Sequence, residues 1–204
     1  MTAQLRFDGN GIIVTGAAGG LGRSQALELA SRGARVVVND LGGDRSGGGA
    51  DRTLAETLAE EIKASGGDAV ASTDSVASVD GPRRIVETAL DTWGRVDGIV
   101  ANAAIVRNRL FEDLTDEDWD EVMAVNLRGV FRTLQAAYRP MKDNGGRIVV
   151  MTSSAGLCGV YGQANYAASK IGVLGLVRTI AWEGGQYGIH ANIVAPSASD
   201  HRYA

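Results

Sequence analysis

The sequence is poor in the residues that build covalent or metal-bound cores. Among its 204 residues there is one cysteine, Cys158, so no internal disulfide and no thiolate metal site can form. The two histidines, His190 and His201, lie in the last fifteen residues without ligand spacing, and no metal site is expected. Proline is scarce, at three, and no linker, internal repeat or domain boundary interrupts the chain. Basic charge is also short. Lys plus Arg is 20 against 24 for Asp plus Glu, a net charge of −4, which offers no footprint for nucleic acid. The nearest thing to a basic cluster is Arg107 with Arg109. No run approaches the eighteen or so apolar residues of a membrane span, and the opening residues contain no apolar core of a secretory signal. The last five residues are neither a peroxisomal nor an ER-retention tail. A cytoplasmic protein without membrane contact is expected.

What the sequence has in surplus is glycine. Its 28 glycines are about 14% of the chain, roughly twice the average usage of ~7%. They follow no three-residue period, which excludes collagen, and 45% hydrophobic residues exclude disorder. Such a surplus in a globular chain signals tight turns or backbone that must approach something closely.

Short Val- and Ile-rich runs at Ile12–Thr15, Ala34–Val38, Ala69–Thr73, Gly98–Ala101, Arg147–Met151 and Ala191–Val194 alternate with segments of helical period. Helices are predicted near 21–32, 51–65, 79–93, 117–143 and 165–186, with Gly33 stopping the first and Gly81-Pro82 opening the third. This alternation predicts an α/β fold: a Rossmann-type, doubly wound parallel sheet with helices on both faces, in one domain over 1–204. The Gly42–Gly49 stretch reads as a loop after the second strand.

The first strand runs into Thr15-Gly16-Ala17-Ala18-Gly19-Gly20-Leu21-Gly22 and then a helix. Gly16 suits a sharp turn, Gly20 lets backbone approach a pyrophosphate, and Gly22 lets the helix pack against the sheet. The free N–H groups of the helix start favour an anion. Eighteen residues past Gly22, Asp40 ends the second strand, where its carboxylate suits an adenosine ribose diol and repels a 2′-phosphate, so NAD is favoured over NADP. The plainer alternative is a tight loop with Asp40 capping a turn.

Near the fifth strand's end stands Ser153, and a later helix starts with Tyr166-Ala167-Ala168-Ser169-Lys170. Tyr166 and Lys170, four apart, share a helix face. A free phenol has a pKa near ~10, and a neighbouring ammonium pulls it down until it can exchange a proton with a substrate hydroxyl. Lys170 could also hold a nicotinamide ribose, and Ser153 orient a substrate oxygen. Alone, such a Tyr/Lys pair is usually solvated. Beside a dinucleotide loop, at the strand edge where open α/β sheets bind ligands, chemistry becomes the better reading.

In these residues the chain resembles the short-chain dehydrogenase/reductases over essentially its whole length, and is similar in several segments to their (3R)-hydroxyacyl-CoA dehydrogenase branch. The resemblance implies that Gly16, Gly20, Leu21 and Gly22 line the cofactor, with Asp40 as the NAD-selecting acid. It implies that Asp74 and Ser75 lie by the adenine, that Asn102 and Ala103 follow the fourth strand beside the cofactor, and that Asn126 holds a water in the proton relay. Ser153, Tyr166 and Lys170 complete the implied catalytic set, the gap of thirteen residues to Tyr166 choosing Ser153 over Ser154. The implied activity is NAD-dependent interconversion of a secondary alcohol and a ketone, with 3-hydroxyacyl thioesters among the implied substrates. A homodimer or homotetramer through the helices near 117–143 and 165–186 is implied as well.

Two departures from the family pattern stand out. Ala104 replaces a glycine, and only five residues follow Ser199, so the last strand and the substrate lid are expected to be absent. An NAD-binding subunit with little turnover is therefore the alternative function. Trp93, Trp119 and Trp182 are read as packing residues, Cys158 as a small buried or loop residue, and Tyr161 and Arg107 as edge residues that could meet substrate.

Overall fold

Parallel strands covered on both faces have no polar side to keep, so they form from continuous Val/Ile runs. A computed structural model, describing residues 5–196, bears this out with six of them. They are β1 Gly11–Thr15, β2 Arg35–Asn39, β3 Asp68–Ser72, β4 Gly98–Ala101, β5 Gly146–Met151 and β6 Ile189–Val194. All pairings are parallel, in the order β3-β2-β1-β4-β5-β6. The order reverses direction between β1 and β4, and that switch point opens a crevice at the carboxyl ends of the strands. Among the described residues no helix is long and apolar enough to cross a membrane. The last eight residues, with His201 and the expectation of a missing strand and lid, lie outside the described residues.

The helices are α1 Gly20–Ser31, α2 Thr53–Ala64, α3 Gly81–Trp93, α4 Asp116–Met123, α5 Val130–Met141, α6 Ala155–Cys158 and α7 Ala164–Gly184. One core joins Ile13, Ile99 and Ile148 of the sheet to α3, α5 and α7, through Ile85, Leu134 and Val173. The other joins Val14, Val36 and Val38 to α1 and α2, through Ala26, Leu58 and Ile62.

The single helix expected over 117–143 is a correction. It is split into α4 and α5 by a π-helical stretch, Ala124–Gly129, which contains Asn126. Such wide turns occur mostly where a helix is adapted to a site. Gly129 fits closely there, since a Cβ would stand 3.1 Å from the carbonyl oxygens of both Ala124 and Val76. Cys158 is also corrected: it is exposed, at the end of the four-residue helix α6, which is too short for any periodicity to announce. Of the tryptophans, Trp93 packs on the core, Trp119 is partly open, and Trp182 stands 89% exposed on the face of α7 turned from the sheet, so packing within the chain fails for it.

The loop from Gly42 to Asp51 is closed at its neck by the Asp51 amide donating to Gly42 O (3.1 Å). It crosses the carboxyl edge of the sheet, where the Val106 amide donates to Arg45 O (2.9 Å) and Gly47 lies against Ile105.

Candidate active site at the carboxyl edge

Gly16, Gly20 and Gly22 of the first loop differ in their surroundings. Gly16 turns with φ +64°, and a Cβ there would stand 2.8 Å from Ala103 Cα. A Cβ on Gly22 would stand 2.0 Å from Gly16 O and 2.7 Å from Asn102 Nδ2. Gly22 therefore serves the closure of the loop on itself, a correction to the expected role of packing helix against sheet. Gly20, at φ +52°, faces open space. The start of α1 has no side-chain cap and no acidic residue in its first turn, so its positive end is left unneutralised. Leu21 beside it is exposed.

Asn102 locks this loop to β4, donating from Nδ2 to Gly16 O (2.9 Å) and Thr15 O (3.2 Å). The Asn102 and Ala103 amides both donate to Thr15 Oγ1. Asp40 accepts from the Ala18 amide (2.8 Å) at one oxygen and from the Gly42 amide (2.7 Å) at the other. This places the carboxylate against the glycine loop, with acceptor capacity remaining at both oxygens. Asp74 is ion-paired to Arg84 of α3 at 2.5 Å. Ser75 Oγ accepts from the Ala77 amide (3.2 Å) and shapes the turn that follows β3.

Across the switch point, Tyr166 and Lys170 lie on the first turns of α7. Lys170 is buried, and its Nζ donates to Met151 O at 2.8 Å and stands 5.6 Å from the Tyr166 ring centroid. Thr152 Oγ1 donates to Lys170 O (2.7 Å), fastening the end of β5 to the helix. Ser153 follows, accepting from the Ala155 amide at 3.2 Å. Burial pushes the Lys170 ammonium down from 10.5 to about 8. The unfolded chain thus holds a proton between about pH 8 and 10.5 that the folded chain has released, so the stability gained from this group rises with pH across that window. Lys170→Met removes the burial cost. At pH 7 it is expected to raise Tm by about 5 °C, the balance of roughly 3 kcal/mol of relieved desolvation against a lost hydrogen bond of about 1 kcal/mol. Thermal scans at pH 7 and pH 10 check it, because the gain must shrink at the higher pH.

Asn126 is fully buried, and its side chain is spent on the loop after β4: Oδ1 accepts from the Ile105 amide and Nδ2 donates to Ile105 O, both at 2.9 Å. Nδ2 also reaches Ser169 Oγ (3.3 Å), which donates to Tyr166 O (2.7 Å). Arg107 is held by Asp118 (3.6 Å) and Glu121, so it faces α4, whereas Tyr161 is open to solvent.

Sequence reasoning passed over three residues here: Asn165, Asp118 and Ser169. Asn165 is fully buried, accepting from the Tyr166 amide (2.7 Å) while donating to Asp118 O (3.1 Å) and Arg107 O (3.2 Å). Burial alone would raise the Asp118 carboxyl, but hydrogen bonds from Arg109 and Thr115 and the charges of Arg109 and Arg107 hold it below the usual range. Their one signal in sequence is adjacency to Tyr166, to the acidic run 116–118, or to Lys170. Among the described residues no group of three or more His, Cys, Asp or Glu sits together as a metal site.

A family model described as short chain dehydrogenase matches residues 10–202. The chain belongs to that family. This short chain dehydrogenase is 50% identical over 199 residues to the peroxisomal multifunctional enzyme type 2 of Mus musculus, covering 97% of this chain and 27% of that protein. It is 41% identical over 185 residues to the 3-oxoacyl-[acyl-carrier-protein] reductase of Synechocystis, covering 90% of this chain and 72% of that protein. A solved short chain dehydrogenase from Mycobacterium avium superposes with TM-score 0.86 at 42% identity, over 94% of this chain and 68% of that one. The chain thus spans about a quarter of the mouse protein, and 22% of the peroxisomal hydratase-dehydrogenase-epimerase of Neurospora crassa, which it matches at 46% identity.

Proposed function

We propose that this chain interconverts a secondary alcohol and a ketone with NAD, and that its substrate class is the 3-hydroxyacyl (3-oxoacyl) thioester. The observation that carries the reading is one meeting of elements. At the switch-point edge, α1, whose uncapped start lies over a bare glycine, and the turn bearing Tyr166 and Lys170 both reach Met151 at the end of β5, Gln25 Nε2 at its Sδ (3.5 Å) and Lys170 Nζ at its O (2.8 Å). The substrate class leans on a relative named as a 3-oxoacyl-[acyl-carrier-protein] reductase.

The site fits a dinucleotide. Open space above Gly20 and the free donors of α1 suit a pyrophosphate, and Asp40 suits the adenosine ribose hydroxyls. Asp74 and Ser75 would flank the adenine, Asn102 and Ala103 the floor beneath it, and Lys170 the nicotinamide ribose. NAD, when bound, supplies the hydride acceptor. In alcohol oxidation the Tyr166 phenolate oxygen takes the hydroxyl proton, and in reduction the phenol returns it. Ser153 Oγ, whose oxygen already accepts from Ala155, keeps its O–H for the substrate oxygen. Asn126 supports the proton path by fixing the loop at Ile105. A homo-oligomer belongs to the same proposal, since Phe131, Ile171 and Trp182 leave apolar surface on α5 and α7.

The test is an assay of NAD and NADP reduction with secondary alcohols and (3R)-hydroxyacyl-CoA esters. Turnover with NAD is expected, with kcat/KM for NADP at least about a hundredfold lower, because Asp40 would meet the 2′-phosphate. Asp40→Ser should narrow that ratio by roughly tenfold or more. NADH binding without turnover on any alcohol would sink the catalytic reading.

A further inference from the structure

Tyr166 is held at its main chain from both sides. Its amide donates to Asn165 Oδ1 (2.7 Å) and its carbonyl accepts from Ser169 Oγ (2.7 Å). Both holding residues belong to α7, yet each is tied to another segment, Ser169 Oγ by accepting from Asn126 Nδ2 (3.3 Å). Asn165 spends both N–H groups on other segments, at Arg107 O in the loop after β4 and Asp118 O in α4. That loop is itself drawn onto α4 by charge. Arg109 Nε meets Asp118 Oδ2 at 3.1 Å, Arg107 meets Asp118 Oδ1 at 3.6 Å, and Arg107 also pairs with Glu121. The loop then returns to the approach of α7, where the Arg109 amide donates to Gly162 O (2.9 Å) and Arg109 bridges to Gln163. The loop after β4 and the α4 that follows it thus converge on one fully buried amide that lies 58 and 47 residues further along the chain.

We propose that Asn165, anchored by Asp118 and the two arginines that Asp118 holds, is a positioning residue for catalysis that fixes where Tyr166 meets the substrate oxygen. The inference rests on the proposed reading of Tyr166 as the acid/base. Its physical basis is distance: misplacing a reacting group by about 1 Å costs on the order of a hundredfold in rate. An amide suits the task because it accepts on one side and donates twice on the other, which no hydroxyl or carboxylate does. The charged groups around the joint are Arg107, Arg109, Asp118 and Glu121, with Lys170 one turn along α7.

The decisive variant is Asn165→Asp. It keeps the acceptor for the Tyr166 amide and sets a carboxylate against the carbonyls of Arg107 and Asp118. On protonation its O–H can donate to one of them again. With NAD and a (3R)-hydroxyacyl-CoA ester, kcat is expected to fall by roughly thirty- to a hundredfold at pH 8. The NADH dissociation constant should stay within about twofold, and the ratio of variant to parent kcat should recover as pH is lowered toward 5. A loss equal at every pH shows a merely structural defect and overturns the inference, as does parental kcat. If Asn165→Asp does not fold, Asp118→Asn serves. It should lower kcat by about tenfold without weakening NADH binding, and Asp118→Glu should restore most of it. Unchanged kcat, or no rescue by Glu, overturns the proposal. Parental activity in Asn165→Asp with an inactive Tyr166→Phe ends this inference alone. An active Tyr166→Phe ends the reading beneath it.

Discussion

Tyr166→Phe is expected to leave a folded protein that binds NADH as the parent does and turns over alcohol about a thousandfold more slowly. Removing one oxygen touches neither of the main-chain bonds that seat the residue, at Asn165 and Ser169, so the joint survives. Nor does it disturb the Lys170 bond to Met151 or the glycine loop across the crevice. What is lost is the group that exchanges a proton with the substrate oxygen. A positioned acid/base contributes roughly 10²–10⁴ in rate, and the phenyl ring has no proton to offer. Stopped-flow absorbance at 340 nm measures the rate, and NADH fluorescence titration measures the binding. Turnover within tenfold of the parent would remove Tyr166 from its role.

Gly22→Ala carries the largest structural effect. One methyl group placed 2.0 Å from Gly16 O meets main chain, which cannot swing aside as a side chain would. Asn102 Nδ2, at 2.7 Å from the same point, is itself bound to Gly16 O. Relief requires the loop to part from the start of α1, which costs about 3 kcal/mol and spoils the anion cradle. Tm should drop by roughly 6–12 °C and NADH affinity by more than about a hundredfold. Gly19 makes the contrast. Its φ is −144° and nothing lies within 4 Å of a Cβ, so Gly19→Ala should keep the parental Tm. A Gly22→Ala protein as stable as Gly19→Ala would refute this account of the loop. Differential scanning fluorimetry and NADH titration read both.

How far the sequence disclosed this depends on whether a signal is local. Strand positions came through because Val36-Val37-Val38 or Ile148-Val149-Val150 can hardly be anything but buried strand, and β4 was read at its observed limits. The sharp turn at Gly16 was legible from its place after the first strand, whereas the contact that Gly22 makes with Gly16 O was not. The break in 117–143 was not, since apolar residues keep helical rhythm through Val122, Val125 and Val130 while the hydrogen bonding widens. The joint behind Tyr166 was invisible for a different reason. Asp118 sits in an acidic run that looks solvated, and Asn165 looks like any polar neighbour. Only the tertiary approach of the loop after β4 buries them.

Asparagines fasten three of the seams described above, Asn102 between β1 and β4, Asn126 and Asn165 between the β4 loop and α7, and a fourth, Asn39, ties β2 to the segment after β3 by donating to Asp74 O (2.9 Å). An amide has no proton to lose in the range near pH 8 where Lys170 titrates, so the frame stays electrically silent while that ammonium changes charge. Such fastenings are instead exposed to slow chemical ageing, in which deamidation turns an amide into a carboxylate. That reaction is fastest before glycine, and these four precede Asp40, Ala103, Leu127 and Tyr166. The two Asn-Gly pairs, Asn10-Gly11 and Asn144-Gly145, sit where β1 and β5 begin, at the opposite end of the sheet. A stored preparation therefore acquires its first new negative charges far from the crevice, and should show heterogeneous isoelectric bands long before its kinetics drift.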